Sequence, residues 1–167
     1  MNTRMTDFLV FSVLVGVVAT ALLDVQAVVR TRLLGTPSAD YALVGRWIAH
    51  MRHGRFHHAS MSSVPRARGE RWIGWIAHYL IGIAFAAVLL GAWGLEWVRA
   101  PTPGPALIVG IGSVAAPFLL MQPGMGAGLA ARRTPNPSAA RVRSLVTHAI
   151  FGLGLYAGGW MAALLVR

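Results

Sequence analysis

The chain has 167 residues, of which 56% are hydrophobic and 12% charged, with a mean hydropathy of +0.59; a water-soluble domain carries about twice that share of charge. Fifteen basic residues, all arginine, stand against five acids (Asp7, Asp24, Asp40, Glu70 and Glu96), and cysteine is absent. That composition excludes a soluble globular enzyme, a disulfide framework, a thiolate nucleophile and cysteine-ligated zinc or iron–sulfur centres.

The first predicted span covers residues 8–29, enough to cross a hydrocarbon core of about 30 Å, and holds Asp24 inside it. It lacks the short apolar region and small-x-small cleavage site of a signal peptide, so it is expected to remain as an anchor. Residues 30–71 form a basic loop of about forty residues, a length that marks functional or disordered segments. Within it Tyr41, Val44, Trp47, Ile48 and Met51 recur at helical spacing, with Arg46 and His50 off the stripe and Ser38 placed as a cap. This predicts an amphipathic helix over 38–51 lying in the cytoplasmic interface.

Beside that helix stand His50, Arg52, His53, Arg55, His57 and His58. The spacing His53-x3-His57-His58 resembles one box of the membrane di-iron hydroxylases, which need several such boxes and more histidines than the six present here. The neighbouring arginines disfavour a divalent cation and favour an anionic partner such as phosphate or a lipid headgroup. Exposed histidines without a role are the plain alternative.

The second span covers residues 72–93 and leads into a short outer loop with Trp93 and Trp97 as expected interfacial anchors. The third, 106–131, contains Pro117 and the run Met121-Gln122-Pro123-Gly124-Met125-Gly126-Ala127-Gly128. A kink or break is expected there, since proline removes a backbone donor and clashes with the preceding turn. The glycines, like the pairs Gly124 with Gly128 and Gly154 with Gly158, alternatively let helices approach closely. The fourth span covers 145–166.

Twelve of the fifteen arginines fall in the first-to-second and third-to-fourth loops. Positive loops stay in the cytoplasm, so both termini are expected in the periplasm. A pI near 11.8 also suggests nucleic-acid binding, but arginines confined to two loops flanking membrane spans are what topology requires, and no nucleic-acid partner is expected. The partners expected are the bilayer, its anionic headgroups, and another membrane protein or a second copy.

Aligned on their histidines, residues 78–87 and 148–157 share His, Gly and Ala, which predicts a tandem helical-hairpin repeat. At roughly 1.5 Å per residue, Asp24, His78, Met125 and His148 all lie about 7 to 11 Å inside the cytoplasmic boundary. Together with Met121 and Gln122 they are the candidate ligands of an intramembrane site, because ionisable groups in a bilayer face the bundle interior. Four readings stay open: interhelical hydrogen bonds that only hold the bundle, a transition-metal or proton site, a bis-histidine haem between His78 and His148, and a lipid-modifying enzyme. An accessory or scaffold subunit without chemistry is the further alternative.

The runs Val44-Gly45-Arg46-Trp47-Ile48-Ala49-His50-Met51, Gly69-Glu70-Arg71-Trp72-Ile73-Gly74-Trp75-Ile76-Ala77-His78-Tyr79, and Met121 through Pro137 together resemble an uncharacterised bacterial family of small four-span inner-membrane proteins. The resemblance covers essentially the whole chain and implies a bacterial inner membrane and four spans, with no activity to carry over. The expected fold is therefore all-α: a single integral membrane domain over residues 1–167, built as a polytopic four-helix bundle with one short cytoplasmic interfacial helix.

Overall fold

The structure, a computed structural model, describes residues 3–35 and 39–166. Its described residues form helices and connecting turns without a strand: α1 (Thr3–Leu34), α2 (Tyr41–Met51), α3 (Glu70–Trp93), the short α4 (Glu96–Arg99), α5 (Pro103–Gly112), the single-turn α6 (Gln122–Gly124) and α7 (Pro137–Val166). Four helices are long and apolar enough to cross a membrane: Thr3–Leu34, Glu70–Trp93, Pro103–Gly124 and Pro137–Leu165. The protein is all-helical and multi-pass, as the composition predicts.

The helix ends follow local chemistry. α1 and α3 stop at Gly35 and Gly94, whose φ values of 63° and 78° are open to glycine at little cost. In both, the glycine N–H returns to a carbonyl four residues back, Thr31 and Leu90, closing the helix with a left-handed cap. Asp40 caps α2 by accepting from the Ala42 N–H at 2.9 Å, while the expected cap, Ser38, lies outside the described residues. α7 begins eight residues before the expected fourth span, because Asn136 accepts from the Ala139 N–H and Pro137 suits the first helical turn.

The third span ends at Gly124, short of the expected Ala131. Pro117 and Pro123 each withdraw a donor, and the chain absorbs the first with a wide π turn over Pro117–Met121, in which the Gln122 N–H reaches the Pro117 carbonyl. Beyond Gly124 the backbone leaves helical geometry, with positive φ at Gly126, Gly128, Ala130 and Ala131. Gly124 and Gly128 therefore do not form the helix-packing pair that their spacing suggests.

Contacts within the chain concentrate in two units. The first comprises α1, α3 from Tyr79 onward, α4, α5 and α7 from Thr147 onward. α1 uses two adjacent stripes. Gly16 and Thr20 meet α3, where a Cβ on Gly82 would overlap Thr20 Oγ1; Val15 and Ala19 meet α7, where Cβ atoms on Gly154 and Gly158 would sit 2.9 Å from Ala19 Cα and the Val15 carbonyl oxygen. The pair Gly154 and Gly158 thus mediates close helix approach, as its small-xxx-small spacing predicts. α5 meets α7 in the same manner, with Gly110 directly against Gly152. Leu89, Leu90 and Leu155 fill the core fully buried. Trp97 is not an interfacial anchor: only 6% exposed, it packs on Gly159 and donates from Nε1 to the Thr102 carbonyl at 3.2 Å. Trp93 does remain partly exposed, at 41%.

The second unit comprises α2, α3 up to His78, the π turn, α6, and α7 up to Val146. α2 lies backbone-to-backbone on α3, since a Cβ on Gly45 would overlap the Glu70 carbonyl and one on Gly74 the Tyr41 carbonyl. Trp47 covers Gly124 so closely that a Cβ there would sit 2.6 Å from its ring, and it donates to the Phe56 carbonyl at 2.9 Å. The loop after α2 is likewise ordered: the His58 and Met61 N–H groups donate to the Gly124 and Met125 carbonyls.

Candidate functional site

In the first unit the apolar helices carry two hydrogen-bonded polar pairs. Tyr79 on α3 donates from its hydroxyl to Asp24 Oδ2 on α1 at 3.0 Å. Ser113, immediately after α5, lies 2.6 Å from Nδ1 of His148 on α7 and donates to the Gly110 carbonyl, also at 2.6 Å. A serine has one hydroxyl proton; with that proton on Gly110, Ser113 Oγ is left to accept from a protonated His148 Nδ1.

The two pairs sit beside matching glycine crossings. Thr20 Oγ1 donates to the Gly16 carbonyl at 2.8 Å where α1 meets Gly82, just as Ser113 bonds Gly110 where α5 meets Gly152. On α3, Tyr79 lies one turn before Gly82; on α7, His148 lies one turn before Gly152. Tyr79 and Ser113 are functional candidates that sequence reasoning missed. The signal for both was spacing: each lies three residues from a glycine that permits close helix contact.

In the second unit His78 stacks on Tyr41, ring centroids 4.2 Å apart, with Trp75 edge-on at 5.9 Å. Met121 closes the π turn, and Gln122 and Met125 flank Gly124. Gln122 Oε1 and His58 Nε2 are buried without a hydrogen-bond partner. The loop histidines divide. His53 and His57 are exposed; His53 Nε2 accepts from Arg52 Nε at 3.0 Å. His50 bonds the Pro65 carbonyl at 3.2 Å and meets His58 edge-on at 5.7 Å. Among the described residues no group of three or more His, Asp or Glu side chains is arranged to hold a metal ion.

The strongest electrostatic feature of the second unit is Arg46, which is 7% exposed. Its Nε and one terminal nitrogen grip Glu70 at 2.8 and 2.9 Å, and the other terminal nitrogen reaches the Met61 and Val64 carbonyls at 3.3 and 3.1 Å. Hydrogen bonding to Glu70 raises the Arg46 pKa against the opposing effect of burial, so the guanidinium stays charged. This bidentate geometry is the strong form of an ion pair, and it fixes α2 and the 61–64 turn onto α3. Glu70 is the lone acid between Tyr41 and Leu95, the one cue in the sequence that it has a partner to satisfy.

Residues 13–162 match the family described as Protein of unknown function (DUF2938). No curated protein and no solved structure matches the chain.

Proposed function

The chain belongs to the DUF2938 family, and for it we propose a protein of the bacterial inner membrane whose helical bundle takes up and releases a proton at Asp24. The observation that carries this reading is the hydrogen bond from Tyr79 to Asp24 inside two apolar helices. An ionisable group at such a position is costly, faces the interior, and marks proton and ion pathways when it is held by polar partners. Tyr79 orients the carboxyl through a neutral hydroxyl. Ser113 with His148 supplies a second protonatable pair of the same construction, and the matching crossings Gly16–Gly82 and Gly110–Gly152 support a tandem-hairpin origin for the two.

A proton is favoured over a transition metal, because among the described residues no three His, Asp or Glu side chains are grouped to hold one ion. The arginine distribution supports periplasmic termini and cytoplasmic basic loops. The test is proton flux in proteoliposomes containing a trapped pH-sensitive dye. Vesicles with the wild-type protein are expected to dissipate an imposed pH gradient faster than protein-free vesicles, and Asp24→Asn to abolish the difference. Wild-type vesicles no leakier than bare lipid, with or without an added membrane potential, contradict the proposal.

A further inference from the structure

Ten of the fifteen arginines, but only two of the five acids, belong to the second unit. Both acids are already engaged: Asp40 caps α2, and Glu70 is gripped by Arg46. The unit holds no further acid to pair with the remaining arginines.

Two of these, Arg132 and Arg133, are held in an unusual way. Adjacent residues ordinarily send their side chains in divergent directions, but here the Cγ atoms of both lie beside Gly128, at 2.8 and 2.9 Å from the position a Cβ would take there. The cause is the backbone of the preceding turn. Gly128 has φ 74°, and beyond Leu129 come Ala130 and Ala131 at 46° and 60°, positive values that non-glycine residues adopt only when their surroundings enforce them. The enforcing contacts are visible: Arg141 Nε donates to the Ala130 carbonyl at 2.8 Å, Thr134 Oγ1 to the Ala131 carbonyl at 2.7 Å, and the Arg133 N–H to the Ala127 carbonyl at 2.8 Å. Both arginines are exposed, and neither makes an ion pair among the described residues. The turn begins within a few residues of Gly124, where the third apolar span ends. On the membrane-spanning reading, a turn that follows the end of a span faces the lipid headgroups.

We propose that the Gly128–Arg133 turn is a headgroup site in which Arg132 and Arg133 together hold the phosphate of an anionic phospholipid. Guanidinium groups match phosphate oxygens with paired N–H donors, and a basic group at this depth gains from an anionic leaflet. Arg141 acts as a positioning residue, since it holds the strained carbonyl that brings the two stems together. The site rests on the membrane-spanning reading alone and stands whether or not Asp24 exchanges a proton.

The test is native mass spectrometry of the full chain in an uncharged detergent, with phosphatidylglycerol, phosphatidylcholine or inorganic phosphate added separately. Wild type is expected to retain phosphatidylglycerol over phosphatidylcholine. Arg132→Gln with Arg133→Gln should lower that retention on the order of tenfold or more, whereas Arg66→Gln with Arg68→Gln, an equal change of charge at exposed positions, should leave most of it. Photoreactive phosphatidylglycerol on the wild-type chain gives a readout independent of any variant's folding, and its crosslinks are expected to concentrate on residues 126–134. Equal retention of the two lipids, equal loss in both double variants, crosslinks confined to other segments, or capture of inorganic phosphate without phosphatidylglycerol would overturn the proposal.

Discussion

Arg46 and Glu70, 24 residues apart in sequence, meet through two parallel hydrogen bonds of 2.8 and 2.9 Å, and the arginine's other terminal nitrogen ends on two backbone carbonyls. One side chain thereby ties α2, the turn at Met61–Ser63 and the start of α3 together. Because the Arg46 and Glu70 side chains are only 8% and 14% exposed, removing either partner leaves a charge with little access to water. Arg46→Ala or Glu70→Ala is expected to destabilise the fold by about 3–5 kcal/mol, whereas Arg46→Met combined with Glu70→Leu should fall much closer to wild type. Denaturation of the detergent-solubilised protein checks this; single variants within about 1 kcal/mol of wild type, the range of an exposed pair, would show the pair to be solvated.

The α1–α7 contact depends on the absence of side chains. Gly154→Leu inserts a branched group where even a Cβ lies 2.9 Å from Ala19 Cα, while Gly91→Leu on α3 meets nothing within 4 Å. The first is expected to cost at least about 1–3 kcal/mol through overpacking and the second to be near neutral. Thermal melting of the two variants under identical detergent conditions separates them, and equal loss in both would contradict the packing described.

The sequence made the four spans legible because a stretch of about twenty apolar residues has few other fates. The helix of α2 was equally readable from Tyr41, Trp47 and Met51 at helical spacing. Arg46 was not. It stands off the apolar stripe and so reads as a solvated residue, and only the distant Glu70 explains its burial. Trp97 misled in the opposite direction: a tryptophan next to a loop reads as an interfacial anchor, but the bare face of Gly159 gives its ring a place in the core. Of the candidate site, Asp24 and His148 were recognised by type, yet their partners Tyr79 and Ser113 were not, since hydroxyl groups are common in apolar helices and helix pairing selects among them. The end of the third span was placed too late because the composition of residues 125–131 stays apolar, whereas the glycine run lets the backbone turn.

An even number of crossings by the four candidate spans would place both ends of the chain on one side of the membrane. With the arginine loops in the cytoplasm, an alkaline phosphatase fusion at the C-terminus is expected to be active and one in the 30–71 loop inactive. The opposite pattern would invert the topology and move the Gly128–Arg133 turn to the outer leaflet.

Asp24 is the residue on which the functional account turns, and its protonation is directly observable. Infrared difference spectra of the reconstituted protein, recorded as pH is stepped across the acidic and neutral range, are expected to show a protonated-carboxyl band that disappears in Asp24→Asn and shifts in Tyr79→Phe, which removes the hydrogen bond seen at 3.0 Å. A spectrum that is identical in wild type and Asp24→Asn at every pH would contradict the account, leaving the Asp24–Tyr79 pair as a structural contact between α1 and α3.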